Sequence, residues 1–129
     1  MTDKFKVKII GILFNPSTRR VLVGKNKGDK NLSFLEGDLK YNEELDVGLK
    51  RTAREKTGYI IHNLGAIYAK NKLKDKESLQ IYFLCEATEG REKSGKKVAE
   101  LRWVKPNEVE RMINEKLPTR LREYILNLG

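Results

Sequence analysis

A hydroxyl, a carboxylate and an ammonium group share one face of a predicted helix near the middle of the chain. Thr52, Glu55 and Lys56 stand at i, i+3 and i+4, and side chains at this spacing lie side by side on an α-helix. A carboxylate can ligate Mg²⁺ or Mn²⁺, whereas a lysine binds phosphate as a point charge, and a threonine hydroxyl can hydrogen-bond water or phosphate. These residue types indicate phosphate chemistry.

The surrounding segment, from Gly37 to Ile60, has the spacing of a known motif. It reads GDLKYNEELDVGLKRTAREKTGYI and resembles the Nudix box of the pyrophosphohydrolases, which runs Gly, five residues, Glu, seven residues, then Arg-Glu-apolar-x-Glu-Glu-x-Gly-apolar. Thr52 and Lys56 stand where two of the helical glutamates should be. The residues that fit the frame are Gly37, Glu43, Arg51, Ala53, Glu55, Gly58 and Tyr59.

The resemblance implies scaffold roles for four of these residues. Gly37 would form a tight turn and bring its carbonyl group close to the site. Glu43 and Arg51 would form an ion pair that holds the loop against the helix. Gly58 would end the helix.

The resemblance also implies that Glu55 is the remaining metal-ligating and catalytic carboxylate. Thr52 is a poor replacement for a carboxylate, and the ammonium of Lys56 would repel a divalent cation a few ångströms away. We therefore expect weak metal binding and no required cofactor, with Mg²⁺ or Mn²⁺ needed only if the protein is active. The acids considered as replacement ligands are Glu36, Glu44, Glu86, Glu89 and Glu100.

The box helix is expected to begin at an Asn42 N-cap and to end at Gly58, a residue type that suits the left-handed C′ position. Lys56 continues the buried stripe of this helix, so we expect its ammonium to reach the pocket. The alternative is that it extends past the helix end into solvent. The predicted buried stripe consists of Leu45, Leu49 and Ala53.

The order of the predicted elements indicates helices packed against a mixed sheet. The resemblance implies the Nudix α/β/α sandwich, an α/β fold. The length of the chain and its lack of a linker or repeat predict a single domain over residues 1–129. A charged loop is predicted from Glu86 to Glu100, and helices are predicted at 106–116 and 118–129. The predicted strands are 5–14 and 20–23, paired as a hairpin, followed by 59–69, 79–85 and 101–104.

Composition narrows the class of protein. The 129 residues carry a net charge of +9, which favours a polyanionic partner, although solubility alone explains many basic surfaces. Cys85 is the single cysteine, so we expect no internal disulfide and a reducing, cytoplasmic location. The sequence predicts no membrane segment and no signal peptide, and His62 has no partner at zinc-binding spacing. The many lysines and scarce glutamine are typical of a thermophile.

Alternating lysines predict a positively charged ridge that would contact phosphate backbones. The ridge residues are Lys70, Lys72, Lys74 and Lys76, with additions from Lys25, Lys27, Lys30, Arg91, Lys93, Lys96 and Lys97. Lysines that protect an edge strand from aggregation give the same pattern. The aromatic residues considered for base stacking are Tyr68, Tyr82, Phe83 and Trp103, although their strand spacing favours core positions for most of them.

Three functions remain open at this point. The favoured one is a binding module that has lost hydrolysis and holds a phosphorylated nucleotide or the 5′ phosphates of an RNA, with Lys56 in place of a metal. The second is a divergent hydrolase of nucleoside diphosphates linked to another group, dependent on Mg²⁺ or Mn²⁺, that uses Glu55 with Glu36 or a downstream acid. The third is a basic module that contacts a protein or ribonucleoprotein.

Overall fold

A six-stranded mixed sheet forms the centre of the structure, a computed structural model that describes residues 6–72 and 78–129. Within these residues the strands are β1 (Lys6–Asn15), β2 (Arg20–Asn26), β3 (Leu35–Asp38), β4 (Tyr59–Lys72), β5 (Ser78–Gly90) and β6 (Val98–Val104). The helices are α1 (Leu45–Thr57), α2 (Val109–Ile113) and α3 (Thr119–Leu126), and a 3₁₀ turn (Pro106–Glu108) precedes α2. None of the described helices is long and apolar enough to cross a bilayer.

β1 lies at the middle of the sheet and organises the other strands. The order of the strands is β4-β5-β1-β2-β6. β3 pairs with the first half of β1, on the same side on which β2 pairs with the second half. β1 and β5 run parallel, with Ile10 opposite Tyr82, and the other pairings are antiparallel. The predicted hairpin of the first two strands is confirmed, with Leu13 opposite Leu22.

Both faces of β1 are buried, which explains its nearly continuous apolar run. Ile9 and Leu13 pack with Leu49 of α1 on one face. Ile10 and Ile12 lie on the other face, in one core with residues of α2 and α3. Each such side chain contributes about 1.5–3 kcal/mol when it is buried. The predicted α/β/α sandwich with a mixed sheet is therefore the observed architecture.

The start of the box helix differs from the prediction. The N-cap is Glu44, which makes no side-chain cap bond, and Asn42 instead has φ 62° in a turn closed by the Glu43 N–H to Lys40 O bond. Asparagine tolerates this left-handed conformation. Leu45 is the first residue of α1 and is 37% exposed, so it does not join the buried stripe. The predicted helix end is confirmed, since Gly58 has φ 80° and its N–H donates to Arg54 O.

Two further segments differ from the sequence prediction. The charged segment 86–100 is a loop only in its middle, because β5 continues to Gly90 opposite β4 and β6 begins at Val98. The helix predicted from Pro106 is a 3₁₀ turn and a short α2, which ends where Asn114 takes φ 54°. Exposed strand ends carry charged residues, so hydrophobic alternation does not mark them.

Candidate functional site

The guanidinium group of Arg51 fastens the loop after β3 onto α1. Its Nε and Nη2 donate to the two carboxylate oxygens of Glu43 at 2.8 and 2.9 Å, so the pair implied by the resemblance is present. Nη2 also donates to the carbonyl oxygen of Asp38 at 3.0 Å. The hydrogen bonds from Arg51 and from the Lys40 N–H lower the pKa of Glu43 to about 2. The pair raises the pKa of Arg51, and both groups stay charged.

Gly37 lies in β3 opposite Ile9 and does not form the tight turn that the resemblance implied. A Cβ atom at this position would overlap the Oγ1 atom of Thr52. The glycine is therefore needed because α1 packs directly on β3. Thr52 is 4% exposed, and its hydroxyl oxygen has no hydrogen-bond partner among the described residues. Thr52 forms part of the floor of the site.

Glu55 is engaged by Arg51 on the surface of α1. Its Oε1 accepts a hydrogen bond from Arg51 Nη1 at 2.9 Å, and its side chain is 60% exposed. The single acid that remains of the expected helical set therefore already has a cation as its partner. Exposed pairs of this kind are weak, so solvent competes with the contact.

Lys56 turns from the helix towards β3. Its half-buried ammonium donates a hydrogen bond to the carbonyl oxygen of Glu36 at 2.6 Å. Burial lowers the pKa of Lys56, while the nearby charges of Glu36, Asp29 and Asp38 act in the opposite direction. The ammonium of Lys56 therefore lies inside the pocket and does not extend past the helix end into solvent.

A cavity of about 730 Å³ opens between β3, the end of α1 and the segment before β6, and we call it the box cavity. Three carboxylates border it: Glu36, Asp38 and Glu55. Six cationic side chains also border it, and these are Lys8, Lys40, Arg51, Lys56, Lys96 and Lys97. The surplus of positive charge makes this cavity attractive to a phosphate-bearing ligand.

The loop 91–97 brings two of these cations over the end of α1. The Lys93 N–H donates to Thr57 O at 2.8 Å, and the Gly95 N–H donates to Lys56 O at 3.1 Å. These bonds satisfy carbonyl groups that a helix end otherwise leaves without partners. Gly95 lies so close to the carbonyl of Glu55 that a Cβ atom would overlap it.

The donor set does not fit Mg²⁺ or Mn²⁺. Hard divalent cations need several oxygen ligands, but Glu55 is paired with Arg51 and Glu36 pairs with Lys8 at 3.3 Å. The ammonium of Lys56 lies against the same strand. No group of three carboxylate, histidine or cysteine side chains in residues 6–72 and 78–129 is placed to hold a metal ion.

The other acids considered as replacement ligands lie away from the box cavity. Glu100 contacts Lys25 and Arg102, and Glu44 caps the start of α1. Glu86 lies opposite His62 and Glu89 opposite Ile60, where β5 pairs with β4. Glu36 alone among the replacement acids borders the cavity.

The predicted lysine ridge is only partly within the described residues. Lys74 and Lys76 lie outside them, and Lys72 is the last residue of β4. The ammonium of Lys70 lies 5.8 Å from the ring centre of Tyr82, on the sheet face rather than on an outer ridge. β4 is an edge strand, so the structure is also consistent with the alternative that these lysines protect a sheet edge from aggregation.

Loop lysines approach the box cavity more directly than the ridge does. Lys96 and Lys97 border it, and the early loop joins the later one through the Lys27 N–H to Lys97 O bond. Lys8 and Lys40 also border it, although neither was predicted from the sequence. The sequence signal that could have identified Lys8 is a basic residue within an otherwise apolar strand. Nothing in the sequence marked Lys40.

The four aromatic residues considered for stacking have different positions. Tyr82 lines a second cavity, and Tyr68 packs edge-on against it at 5.9 Å. Phe83 is buried in the core under α1. Trp103 packs against Tyr59, and its Nε1 donates to Glu92 at 2.9 Å.

The chain belongs to the Nudix family, because the family model described as NUDIX domain matches residues 4–128. The fold is also that of a MutT protein from Methanosarcina mazei Go1, at 18% identity and a TM-score of 0.73, covering 99% of this chain and 95% of that one. A NUDIX hydrolase from Nitrosomonas europaea is similar at 13% identity and a TM-score of 0.76, with 97% and 88% covered.

A hydrolase of the NUDIX family from Clostridium perfringens has the same fold, at 12% identity and a TM-score of 0.71, with 99% and 97% of the two chains covered. No curated protein matches the chain. At these identities the likeness establishes the fold, and the side chains of the box cavity must carry any argument about function.

Proposed function

We propose that this domain binds a phosphorylated nucleotide, free or at the 5′ end of an RNA, and does not hydrolyse it. The observation that carries the proposal is the ammonium of Lys56, which lies 2.6 Å from the carbonyl of Glu36 inside the box cavity. In this position the lysine supplies positive charge where the resemblance implies a divalent cation.

The charges around Lys56 support the binding of phosphate. Lys8, Lys40, Lys96 and Lys97 border the same cavity from β1, from the turn before α1 and from the loop 91–97. Lysine binds phosphate as a hydrated point charge, so cations from several directions can enclose one phosphate chain without a fixed ligand geometry.

The carboxylates of the cavity support binding more than catalysis. Metal-assisted hydrolysis needs an ion that orients the phosphate and activates water. For Glu55 to hold such an ion it would have to leave Arg51, and the ion would then lie near the ammonium of Lys56. The cost of this repulsion favours a ligand that is itself negatively charged.

The first experiment measures turnover. The protein is incubated with ADP-ribose, dinucleoside polyphosphates and nucleoside triphosphates in Mg²⁺ or Mn²⁺, with Glu55→Gln as the matched variant. We expect no product above background from either protein. Hydrolysis by the wild-type chain that disappears in Glu55→Gln would overturn the proposal and favour the divergent hydrolase.

The second experiment separates the two sources of the ligand. Fluorescent RNAs of one sequence with a 5′-triphosphate or a 5′-hydroxyl are titrated at two salt concentrations. Tighter binding of the triphosphate form places the nucleotide at an RNA end, and binding of free nucleotide alone favours a small-molecule ligand. Binding of neither RNA form and of no nucleotide would contradict the proposal and leave the protein-interaction reading.

A further inference from the structure

A separate cavity of about 390 Å³ lies at the turn between β1 and β2, and we call it the hairpin cavity. Its charged side chains are all cations, namely Arg19, Arg20 and Lys105, and none of the described residues that line it is acidic. Within residues 6–72 and 78–129 these three cations form no salt bridge. Grouped cations without a carboxylate attract an anion, and phosphate suits arginine because the guanidinium can donate parallel hydrogen bonds to it.

The backbone at Arg19 adds an independent observation. Its φ is 55°, and its N–H closes the hairpin turn by donating to Asn15 O at 2.7 Å. Hairpin turns that need this left-handed conformation usually have glycine there, and other residues with it cluster at functional sites. The guanidinium donates to the carbonyl oxygen of Leu128 at 3.3 Å, a single contact that uses only part of its hydrogen-bonding capacity. An arginine at this position therefore indicates a ligand more than a need of the turn.

β2 and β6 connect the hairpin cavity to the box cavity. The two strands are antiparallel, and at one end Asn26 lies opposite Val98, where both residues border the box cavity. At the other end Arg20 begins β2 and Lys105 follows β6, and both line the hairpin cavity. With a rise of about 3.3 Å per residue, the length of β2 sets the two cavities about 20 Å apart.

Further cations lie between the two cavities. Lys25 of β2 and Arg102 of β6 both contact Glu100, so this stretch keeps a net positive charge. Lys96 and Lys97 continue it at the box cavity. β6 is an edge strand, so a long ligand can follow it. A positively charged path that follows the backbone is a common means of binding single-stranded nucleic acid.

We propose that the hairpin cavity binds a backbone phosphate of an RNA strand whose 5′ end occupies the box cavity. The inference rests on the proposed function and narrows its ligand from a nucleotide of either source to an RNA. At about 3.4 Å per stacked nucleotide, roughly six nucleotides span the distance between the cavities. A free nucleotide in the box cavity does not reach the hairpin cavity.

The test compares ligands of different length. A dinucleotide and a decanucleotide RNA, both fluorescent and with a 5′-triphosphate, are titrated at several salt concentrations, and ADP is titrated separately. We expect the decanucleotide to bind the wild-type protein about tenfold or more tightly than the dinucleotide, because it engages two sites at once.

Substitutions in the hairpin cavity should remove this advantage. In Arg20→Gln and in Lys105→Gln we expect weaker decanucleotide binding and unchanged ADP binding. The slope of log K against log salt should become shallower by about 0.7, the value for one phosphate contact to a single strand. Arg54→Gln, at an exposed position of α1, is the matched control and should leave both ligands unaffected.

The outcomes separate this inference from the proposed function. Equal binding of the two RNAs by the wild-type protein, or decanucleotide binding that neither substitution weakens, would overturn the inference while ADP still binds. Failure of ADP and of the dinucleotide to bind the wild-type protein would reject the proposed function itself.

Arg19→Gly separates a role in binding from a role in folding. Glycine adopts a φ of 55° without strain, so we expect a midpoint of urea unfolding no lower than that of the wild-type protein, together with weaker decanucleotide binding. A lower midpoint with unchanged decanucleotide binding would assign Arg19 to the fold and contradict its part in the phosphate site.

Discussion

The Lys56 ammonium donates a hydrogen bond to the Glu36 carbonyl oxygen, and this contact joins the end of α1 to β3 inside the box cavity. Lys56 stands at a helical position where the motif has a glutamate. Its opposite charge changes the kind of ligand that the site attracts. Carboxylates at this end of the helix would collect divalent cations, whereas a lysine collects phosphate oxygens directly.

Restoring the missing carboxylates should restore affinity for a divalent cation. We expect the double variant Thr52→Glu, Lys56→Glu to bind Mn²⁺ at least about tenfold more tightly than the wild-type chain, because it adds two oxygen ligands and removes the repelling ammonium. Electron paramagnetic resonance of free Mn²⁺ measures the change.

The matched control for this variant is Lys50→Gln, which removes a positive charge from the outer face of α1, where Lys50 pairs with Asp46 at 3.0 Å, without adding a carboxylate. It should leave Mn²⁺ affinity near the wild-type value. Equal Mn²⁺ binding by all three proteins would show that positions 52 and 56 do not face a site that carboxylates can turn into a metal site.

The ion pair of Glu43 with Arg51 should make stability depend on acid pH. The pKa of Glu43 falls from 4.5 to about 2 in the folded protein, so the pair stabilises the fold above pH 4.5 and this contribution is lost as the pH falls towards 2. Urea unfolding between pH 7 and 2 should therefore show a smaller pH dependence for Glu43→Gln. Glu89→Gln, at an exposed position of β5, serves as the control, and identical curves for Glu43→Gln and wild type would contradict the prediction.

The close packing of Gly37 against Thr52 predicts a coupled pair of substitutions. Gly37→Ala should destabilise the protein by about 1–3 kcal/mol, because the new methyl group overlaps the threonine side chain. Gly37→Ala combined with Thr52→Ala should recover part of this loss. A double-mutant cycle by denaturant unfolding measures the coupling, and strictly additive effects would show that the two residues do not share the space.

The carboxylate of Glu92 should hold the loop 91–97 in place. Its Oε1 accepts hydrogen bonds from Trp103 Nε1 and from the Tyr59 hydroxyl at 2.9 and 3.2 Å. In Glu92→Ala we expect faster hydrogen exchange at the amides of Lys93 and Gly95, a shifted emission of Trp103, and weaker nucleotide binding. Unchanged exchange at both amides would contradict this role, and Glu89→Ala is the control.

Local signals in the sequence were enough for part of the fold. Gly58 ends α1 because glycine is suited to the left-handed conformation, and the first hairpin follows from two apolar runs around a short turn. The predicted start of α1 was wrong because asparagine is suited both to an N-cap and to a left-handed turn. The pairing of Glu43 with Arg51 selects the turn at Asn42.

The candidate site was less accessible from the sequence, because its residues meet through long-range pairing. Lys8 reaches the box cavity through the pairing of β1 with β3, in which it lies opposite Asp38. The sequence spacing of the box indicated only the positions of Lys56 and Glu55 on one helix face. Both border the cavity, but only the packing of α1 on β3 shows that the Lys56 ammonium turns inwards to Glu36 while Glu55 stays on the surface with Arg51.

The most direct test of the account is calorimetric titration of ADP into the protein in EDTA and in excess Mg²⁺. We predict binding without metal, and an approximately tenfold loss of affinity in Lys56→Gln but not in the outer-face control Lys50→Gln. Binding that requires Mg²⁺ and becomes tighter in Lys56→Gln would show that the lysine obstructs a metal site, and would contradict the account.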